Sequence, residues 1–198
     1  MYDVLVISKT NIWRSIVFFL AVLIVSSTGC DTDSDSANLT KASDYPPLAS
    51  AVAEAQFEMV DGTPSKISDR KGKIVLINLW ATWCGYCRQE MPRLIAMQNQ
   101  YRDKGFQVLG LDIGEQETTQ PESIADINNF ASMMGLNYEL ARIDTGLRTR
   151  LQHLSRFSGV PQSFLVDREG RLRGVFLGGS QGAIAQMENI VGKVVNEE

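Results

Sequence analysis

Two of the three cysteines in this 198-residue chain, Cys84 and Cys87, are separated by only two residues. Thiols at this spacing can form and break a disulfide with little movement of the backbone. The pair follows an apolar run at residues 74–80 and precedes an amphipathic segment at residues 88–102. Because a Cys-x-x-Cys pair between a strand and a helix is typical of redox proteins, the sequence predicts thiol–disulfide exchange at these two residues.

A metal site and a purely structural disulfide are the two alternatives for the cysteine pair. Structural zinc needs four ligands, usually two such pairs or one pair with two histidines. Apart from this pair, the chain has one cysteine, Cys30, and one histidine, His153. The second half of a zinc site is therefore missing, and no metal is expected. A disulfide that closes so short a loop removes little entropy from the unfolded chain and would stabilise the fold poorly.

The first 29 residues have the features of a secretory signal peptide. Lys9 and Arg14 precede an apolar run at residues 16–25, which is followed by small residues and then by Cys30. That run is shorter than the roughly 20 residues that a transmembrane helix needs. Basic residues before the run and acidic residues after it predict that the N-terminus stays in the cytoplasm and the rest lies outside.

The end of this segment resembles the signal of bacterial lipoproteins. Thr28-Gly29-Cys30 matches the end of a lipobox, although Ser27 stands where the family prefers leucine. The resemblance implies a cut before Cys30 and acyl chains on its thiol that anchor the protein to a membrane. An uncleaved anchor and plain secretion are the alternatives, and all three put the domain outside the cytoplasm. In a Gram-negative cell, Asp31 resembles the signal that keeps a lipoprotein at the periplasmic face of the inner membrane.

The rest of the chain divides into a tether and one domain. Residues 30–49 are rich in Asp, Ser, Thr and Ala and include two prolines, which predicts a solvated tether behind the lipidated cysteine. Residues 50–198 carry enough apolar side chains for a single core. The formal net charge of −4 gives no reason to expect a nucleic-acid partner.

Hydrophobic periodicity predicts alternating strands and helices across that domain. An initial hairpin turns at Asp61-Gly62, and a final one turns at residues 167–170. Further strands are expected at residues 74–80, 106–113 and 138–143, and helices at residues 88–101, 121–134, 144–154 and 183–195. This order predicts an α/β fold with a mixed central β-sheet flanked by helices.

Three segments carry a resemblance to the TlpA/ResA-like thiol–disulfide oxidoreductases, which are membrane-tethered proteins of the bacterial cell envelope. Residues 78–92 resemble the family's active-site segment, residues 158–161 its cis-proline loop, and residues 164–170 the hairpin that follows. The resemblance covers roughly residues 57–195. It implies a thioredoxin-like fold with an N-terminal β-hairpin and a central helix–strand insertion near residues 121–143.

Cys84 is the candidate attacking thiol and Cys87 the candidate resolving thiol. Backbone N–H groups and the positive end of the dipole at a helix N-terminus stabilise a thiolate, which favours Cys84 as the nucleophile. Glu90 is the third catalytic candidate, since a glutamate at the matching family position can influence the titration of the cysteines. A solvated helix-face carboxylate is its alternative. Asn78 stands where cytoplasmic thioredoxins carry a buried aspartate, so Glu90 or water is expected to take the proton of Cys87.

Four residues around the cysteines are candidates for substrate binding, namely Trp83, Tyr86, Val160 and Pro161. An aromatic ring beside the attacking cysteine suits a docking surface for another protein. The resemblance implies a cis peptide bond before Pro161, with backbone groups of this loop offered to an extended substrate strand. Because Gln162 replaces the threonine common in thioredoxins, substrate contacts beside Pro161 are expected to differ.

These features predict a lipid-anchored thiol–disulfide oxidoreductase of the bacterial cell envelope that needs no cofactor. The resemblance favours a reductant of protein disulfides, for example during cytochrome c maturation, that receives electrons from a membrane protein. Gly85-Tyr86 between the cysteines also resembles the dipeptide of a periplasmic disulfide isomerase, so an oxidase or isomerase remains an alternative. A non-catalytic binding module that uses the same groove is the hypothesis from outside the enzymes.

Overall fold

In the part of the chain that the structure describes, residues 42–116 and 120–197 of a computed structural model, seven strands form one mixed sheet. The strands are β1 (Gln56–Met59), β2 (Pro64–Lys66), β3 (Ile74–Trp80), β4 (Phe106–Asp112), β5 (Glu139–Arg142), β6 (Gln162–Val166) and β7 (Leu172–Leu177). Their spatial order is β2-β1-β5-β4-β3-β6-β7. β4 pairs in parallel with β3 and β5, whereas the pairs β1–β2, β1–β5, β3–β6 and β6–β7 are antiparallel. The predicted mixed sheet with a hairpin at each end is confirmed.

Helices of the same residues connect and cover the strands. They are α1 (Ser50–Ala53), α2 (Gly85–Tyr101), α3 (Ile124–Met134), α4 (Thr145–Ser155) and α5 (Gln181–Val195), with short 3-10 turns at Ala42–Asp44, Ile67–Arg70 and Arg102–Lys104. α3 starts three residues later than predicted, because the Ser123 hydroxyl caps it by accepting a hydrogen bond from the Asp126 N–H. None of the helices described has the length and apolar character required to cross a bilayer.

The central strand β3 has every one of its seven residues buried, as its largely apolar sequence predicts. Successive side chains of a strand point to opposite faces. Leu76 therefore joins one core with Met187 and Val191 of α5, and Ile77 joins a second core with Leu147 of α4. Both cores fix the direction of β3, which delivers the chain to Cys84 four residues after its last residue.

The segment that leads into the domain is held against the turn between β6 and β7. The Leu48 N–H donates to the Gly170 carbonyl at 2.9 Å, and the Leu172 N–H donates to the Pro46 carbonyl at 2.8 Å. These last residues of the predicted tether thus lie on the domain rather than in solvent. The signal at residues 1–29, Cys30 and the tether up to residue 41 lie outside the described residues, and the predicted boundary at residue 50 stays a prediction.

Both ends of the described chain meet at one end of the sheet. β6 runs antiparallel to β3 with Val166 opposite Val75, so the β6–β7 turn lies where β3 starts. Here Arg173 lies over the Tyr45 ring at 4.3 Å and pairs with the Glu197 carboxylate at 2.7 Å. The cysteine pair follows the other end of β3, at the opposite end of the sheet.

Candidate active site

Cys84 and Cys87 form a disulfide at the first turn of α2, with Cα atoms 5.3 Å apart. Cys84 is the N-cap residue, and its Sγ accepts a hydrogen bond from the Cys87 N–H at 3.1 Å. This contact explains why α2 begins at Gly85 rather than at the predicted residue 88. Cys84 is 5% exposed and Cys87 is fully buried, so an incoming sulfur can reach only Cys84.

The loop that precedes β6 faces this disulfide. The peptide bond between Val160 and Pro161 is cis, which confirms the prediction for this loop. The Val160 carbonyl oxygen lies 3.7 Å from the Sγ of Cys84. The Pro161 carbonyl in turn accepts a hydrogen bond from the Gly178 N–H at 2.9 Å, which attaches the loop to the end of β7. The backbone of Val160 is therefore presented beside the reactive sulfur.

Two exposed aromatic rings flank the disulfide. Trp83 is 37% exposed and Tyr86 is 63% exposed, whereas most large apolar side chains of the described domain are buried. The Trp83 indole N–H donates to the Gly114 carbonyl at 3.0 Å, so its ring has a fixed attachment. Leu177, also exposed, ends β7 opposite Gln162, next to the cis-proline. The structure thus gathers Trp83, Tyr86 and the Val160–Pro161 loop around Cys84, although their roles in binding stay predictions.

Beneath the disulfide, Glu90 lies in a buried polar cluster. Glu90 is 2% exposed, and its Oε1 accepts a hydrogen bond from the Asn78 side-chain amide at 2.6 Å. The same amide donates to the Ser163 hydroxyl at 3.0 Å. Burial raises the pKa of Glu90 to about 7, and the Asn78 hydrogen bond only partly opposes this rise. The alternative of a solvated carboxylate at Glu90 is wrong, because α2 turns this face toward the sheet.

A buried acidic pair, Asp112 and Glu122, lies beside the loop of Trp83 and was missed by sequence reasoning. Asp112 ends β4, and its Oδ1 accepts a hydrogen bond from the Gly114 N–H at 2.8 Å. The Glu122 Oε1 accepts one from the Thr82 hydroxyl at 2.7 Å. Burial, followed by the nearby charge of Glu122, raises the pKa of Asp112 to about 7. An aspartate that ends an apolar strand next to β3 is the sequence signal that could have found this pair.

Other polar residues singled out in the sequence lie elsewhere. His153 is exposed on α4 and takes no part in the site. Among the described residues no group of three or more histidine, cysteine or acidic side chains could hold a metal ion. Gln162 is buried at 1% exposure and its side-chain amide donates to the Gly159 carbonyl of its own loop, so the expected difference in substrate contacts beside Pro161 stays a prediction.

Comparison with known proteins places this arrangement in a family. The family model described as Redoxin matches residues 42–191, which include both cysteines, the cis-proline loop and the whole sheet. The chain belongs to the Redoxin family.

Several relatives of this chain are named as thiol-disulfide oxidoreductases. The thiol-disulfide oxidoreductase ResA of Bacillus anthracis is 33% identical over 116 residues, and the match covers 57% of this chain and 60% of that protein. ResA of Bacillus subtilis (strain 168) is 28% identical over 124 residues, which cover 62% of this chain and 63% of that protein. The chain thus matches about three fifths of the length of these curated relatives. They confirm the predicted TlpA/ResA-like resemblance.

Solved structures confirm the thioredoxin-like fold. A thiol:disulfide interchange protein of the thioredoxin family from Chlorobium tepidum TLS has a TM-score of 0.60 and 25% identity, and the match covers 77% of this chain and 96% of that one. A thiol-disulfide isomerase from Corynebacterium glutamicum has a TM-score of 0.59 at 20% identity, covering 79% of this chain and 99% of that one. The second similarity supports the fold alone.

Proposed function

We propose that this protein is a thiol–disulfide oxidoreductase that exchanges two electrons with protein disulfides through Cys84 and Cys87. The observation that carries the proposal is the disulfide at the N-terminus of α2, whose outer sulfur lies 3.7 Å from the Val160 carbonyl oxygen beside a cis-proline. Relatives named as thiol-disulfide oxidoreductases support the same reaction class.

In the reducing direction, the first step is an attack by the Cys84 thiolate on one sulfur of a substrate disulfide. A bond forms between the Cys84 Sγ and that sulfur, the substrate disulfide breaks, and the second substrate sulfur leaves as a thiolate. The backbone N–H groups at the start of α2 stabilise the Cys84 thiolate, as the hydrogen bond from the Cys87 N–H to this sulfur illustrates. An extended substrate strand beside Val160 would hold the attacked disulfide in place.

In the second step, Cys87 loses its proton and attacks the Cys84 Sγ. The Cys84–Cys87 disulfide forms, the mixed disulfide breaks, and the first substrate sulfur leaves, so two electrons have passed to the substrate. Glu90 lies three residues after Cys87 on the same face of α2. With a pKa of about 7, part of its population is ionised near neutral pH and can accept the Cys87 proton. Protons end on the two substrate thiolates, which leaves the reaction balanced.

We infer that the protein works in the bacterial cell envelope as a reductant. The signal-like segment before Cys30 and the lipobox match support a lipid anchor, and the resemblance supports electron supply by a membrane protein and substrates such as apocytochrome c. A mass spectrum of the mature protein with an acylated Cys30 as its first residue is the expected sign of the anchor. An unmodified chain that begins elsewhere would overturn it.

The decisive experiment compares single cysteine variants of the full chain in reduction of a protein disulfide. Cys84→Ser is expected to lose all turnover. Cys87→Ser, its matched control, keeps the attacking thiol and is expected to accumulate a mixed disulfide with substrate. Retained turnover in Cys84→Ser would contradict the enzyme and favour a binding module.

A measured reduction potential distinguishes the direction of electron flow. A value near that of cytoplasmic thioredoxin, about −270 mV, supports a reductant, whereas one near about −120 mV supports an oxidase.

A further inference from the structure

The backbone of the loop at residues 157–160, here called the site loop, is held by side chains from the domain behind it. Gln162 supplies two of these contacts. Its side-chain Nε2 donates to the Gly159 carbonyl at 2.8 Å and to the Phe157 carbonyl at 3.3 Å. One amide nitrogen carries two hydrogens, so both donations are possible at once.

Two residues of α4 also hold this loop. The Gln152 side-chain amide donates to the Ser158 carbonyl at 2.8 Å, and the Ser155 hydroxyl donates to the Phe157 carbonyl at 3.2 Å. The carbonyls of three successive loop residues are therefore each bonded to a side chain of the domain.

Packing within the site loop adds a steric limit. A Cβ built on Gly159 would lie 2.7 Å from the Cζ of Phe157, a separation that real contacts do not show. The Phe157 ring thus closes the space beneath Gly159, and the Gln162 amide reaches the Gly159 carbonyl on the same stretch of chain. The fourth carbonyl of the loop, that of Val160, lies 3.7 Å from the Cys84 Sγ.

Gln162 is not explained by stability alone. It is 1% exposed, yet its own Oε1 has no hydrogen-bond partner among the described residues. An unpartnered buried polar atom is unfavourable. The loop residues to which its amide donates, Phe157 and Gly159, are only half-buried, so water could satisfy their carbonyls. A methionine of similar size would avoid the unpartnered oxygen.

We propose that Gln162 is a positioning residue that fixes the site loop, and through it the Val160 backbone, for disulfides carried on an extended polypeptide. The inference rests on the proposed function and deepens it, because it separates polypeptide substrates from small disulfides. A small disulfide has no strand to place beside Val160, so it needs Cys84 but not a fixed loop.

The test compares two disulfides that release the same coloured thiolate. One is an extended peptide whose single cysteine is disulfide-bonded to 5-thio-2-nitrobenzoate, and the other is the symmetrical disulfide of that thiol. In the reduced full chain, Gln162→Met is expected to lower kcat/KM for the peptide about tenfold, which corresponds to roughly one net hydrogen bond. Its rate with the small disulfide is expected to stay within twofold, and its reduction potential is expected to stay unchanged.

Gln107→Met is the matched control. Gln107 is also buried, at 7% exposure, but it lies on β4 near the start of that strand, with Lys73 as its side-chain partner. It is expected to match the unsubstituted chain with both disulfides. Equal losses of Gln162→Met with both disulfides, or no loss with either, would overturn the inference.

A second variant covers the case in which Gln162→Met does not fold. Gln152→Met removes the donor to the Ser158 carbonyl, and it should show the same selective loss, about threefold. Hydrogen exchange should be faster at the Phe157 amide of the same loop, which donates to the Gln152 carbonyl at 3.2 Å. A Gln152→Met protein with unselective loss or unchanged exchange would count against the inference. If the unsubstituted chain reacts with neither disulfide, the proposed function fails, and this inference falls with it.

Discussion

The two ends of the central sheet both bury ionisable side chains, but only one end pairs them with groups of opposite charge. At the end where β3 starts, the side chains of Arg173 and Asp167 are each 4% exposed and pair at 3.4 Å, and Glu197 also pairs with Arg173. At the end where β3 finishes, Glu90 and Asp112 are buried, and no cation of the described residues forms an ion pair with either.

This difference suits the paired end to stability and the unpaired end to proton transfer. A paired buried charge stays ionised and holds its neighbours in one arrangement. A buried carboxyl without a cation holds its proton to higher pH, and the pKa values of Glu90 and Asp112 both rise to about 7. Groups that change charge near neutral pH are useful in proton transfer, and they lie at the end that carries the disulfide.

The largest expected effect is a loss of stability when the buried ion pair at the paired end is broken. Arg173→Met would leave Asp167 buried without its cation, and removal of one partner of a buried pair typically costs about 3–5 kcal/mol of stability. Urea unfolding should show this loss, while the reduction potential of the folded variant should match the original.

Lys66→Met is the control for that experiment. Lys66 pairs with Glu54 at 2.6 Å, but both side chains are well exposed, at 40% and 55%. Because solvent screens an exposed pair, its loss is expected to leave stability almost unchanged. If the two variants lose similar amounts, burial does not distinguish the pairs and the comparison fails.

The next effect concerns Glu90 at the unpaired end, where the contribution of the carboxyl to stability depends on pH. The folded pKa of Glu90, about 7, lies above its ordinary value of 4.5. Its favourable contribution is therefore complete below pH 4.5 and is lost as the pH rises to about 7, an amount of about 3 kcal/mol. Glu90→Gln does not titrate, so its stability relative to the original should rise by that amount between the ordinary pKa and about pH 8.

Urea unfolding of Glu90→Gln and of the original protein, at pH 4.5 and at about pH 8, measures this difference. Glu169→Gln, which replaces an exposed carboxylate in the β6–β7 turn by an amide, is the control for the substitution itself. A Glu90→Gln difference that is flat with pH would show that the pKa of Glu90 is not raised in the folded protein.

The smallest expected effect tests whether substrate meets the unpaired end through its exposed rings. Trp83→Ala should lower kcat/KM for a protein disulfide about tenfold, which is about 1.4 kcal/mol, because truncation of an aromatic anchor typically has this effect. Met133→Ala removes a side chain that is 71% exposed on α3 and should change nothing. Equal losses in the two variants would point to general surface hydrophobicity rather than to a docking site.

Much of the fold follows from local patterns in the sequence. The largely apolar run at residues 74–80 matches β3 residue for residue, and the Asp61-Gly62 turn lies between β1 and β2. Local patterns fail where side chains cap a helix, since Ser123 and Cys84 shift the starts of α3 and α2. The cysteine pair and the cis-proline were found because their motifs are short and continuous.

The polar residues around the site depend on contacts between distant segments. The cluster of Asn78, Glu90 and Ser163 joins β3, α2 and β6, and residues 78 and 163 are 85 positions apart. Whether Glu90 was solvated or buried could not be decided from α2 alone. In the same way, the inward direction of Gln162 depends on the path of the loop before it, which its sequence does not specify.

The contact of both Tyr45 and Glu197 with Arg173 has a practical consequence for protein engineering. Tyr45 and Glu197 both contact that one side chain, so a short linker could join them without crossing the disulfide. New termini could then be opened at the exposed Asp61-Gly62 turn to give a circularly permuted protein. Attachment of the domain to a bead or an electrode through residue 45 or residue 197 would likewise leave Cys84 on the far side, accessible to a partner.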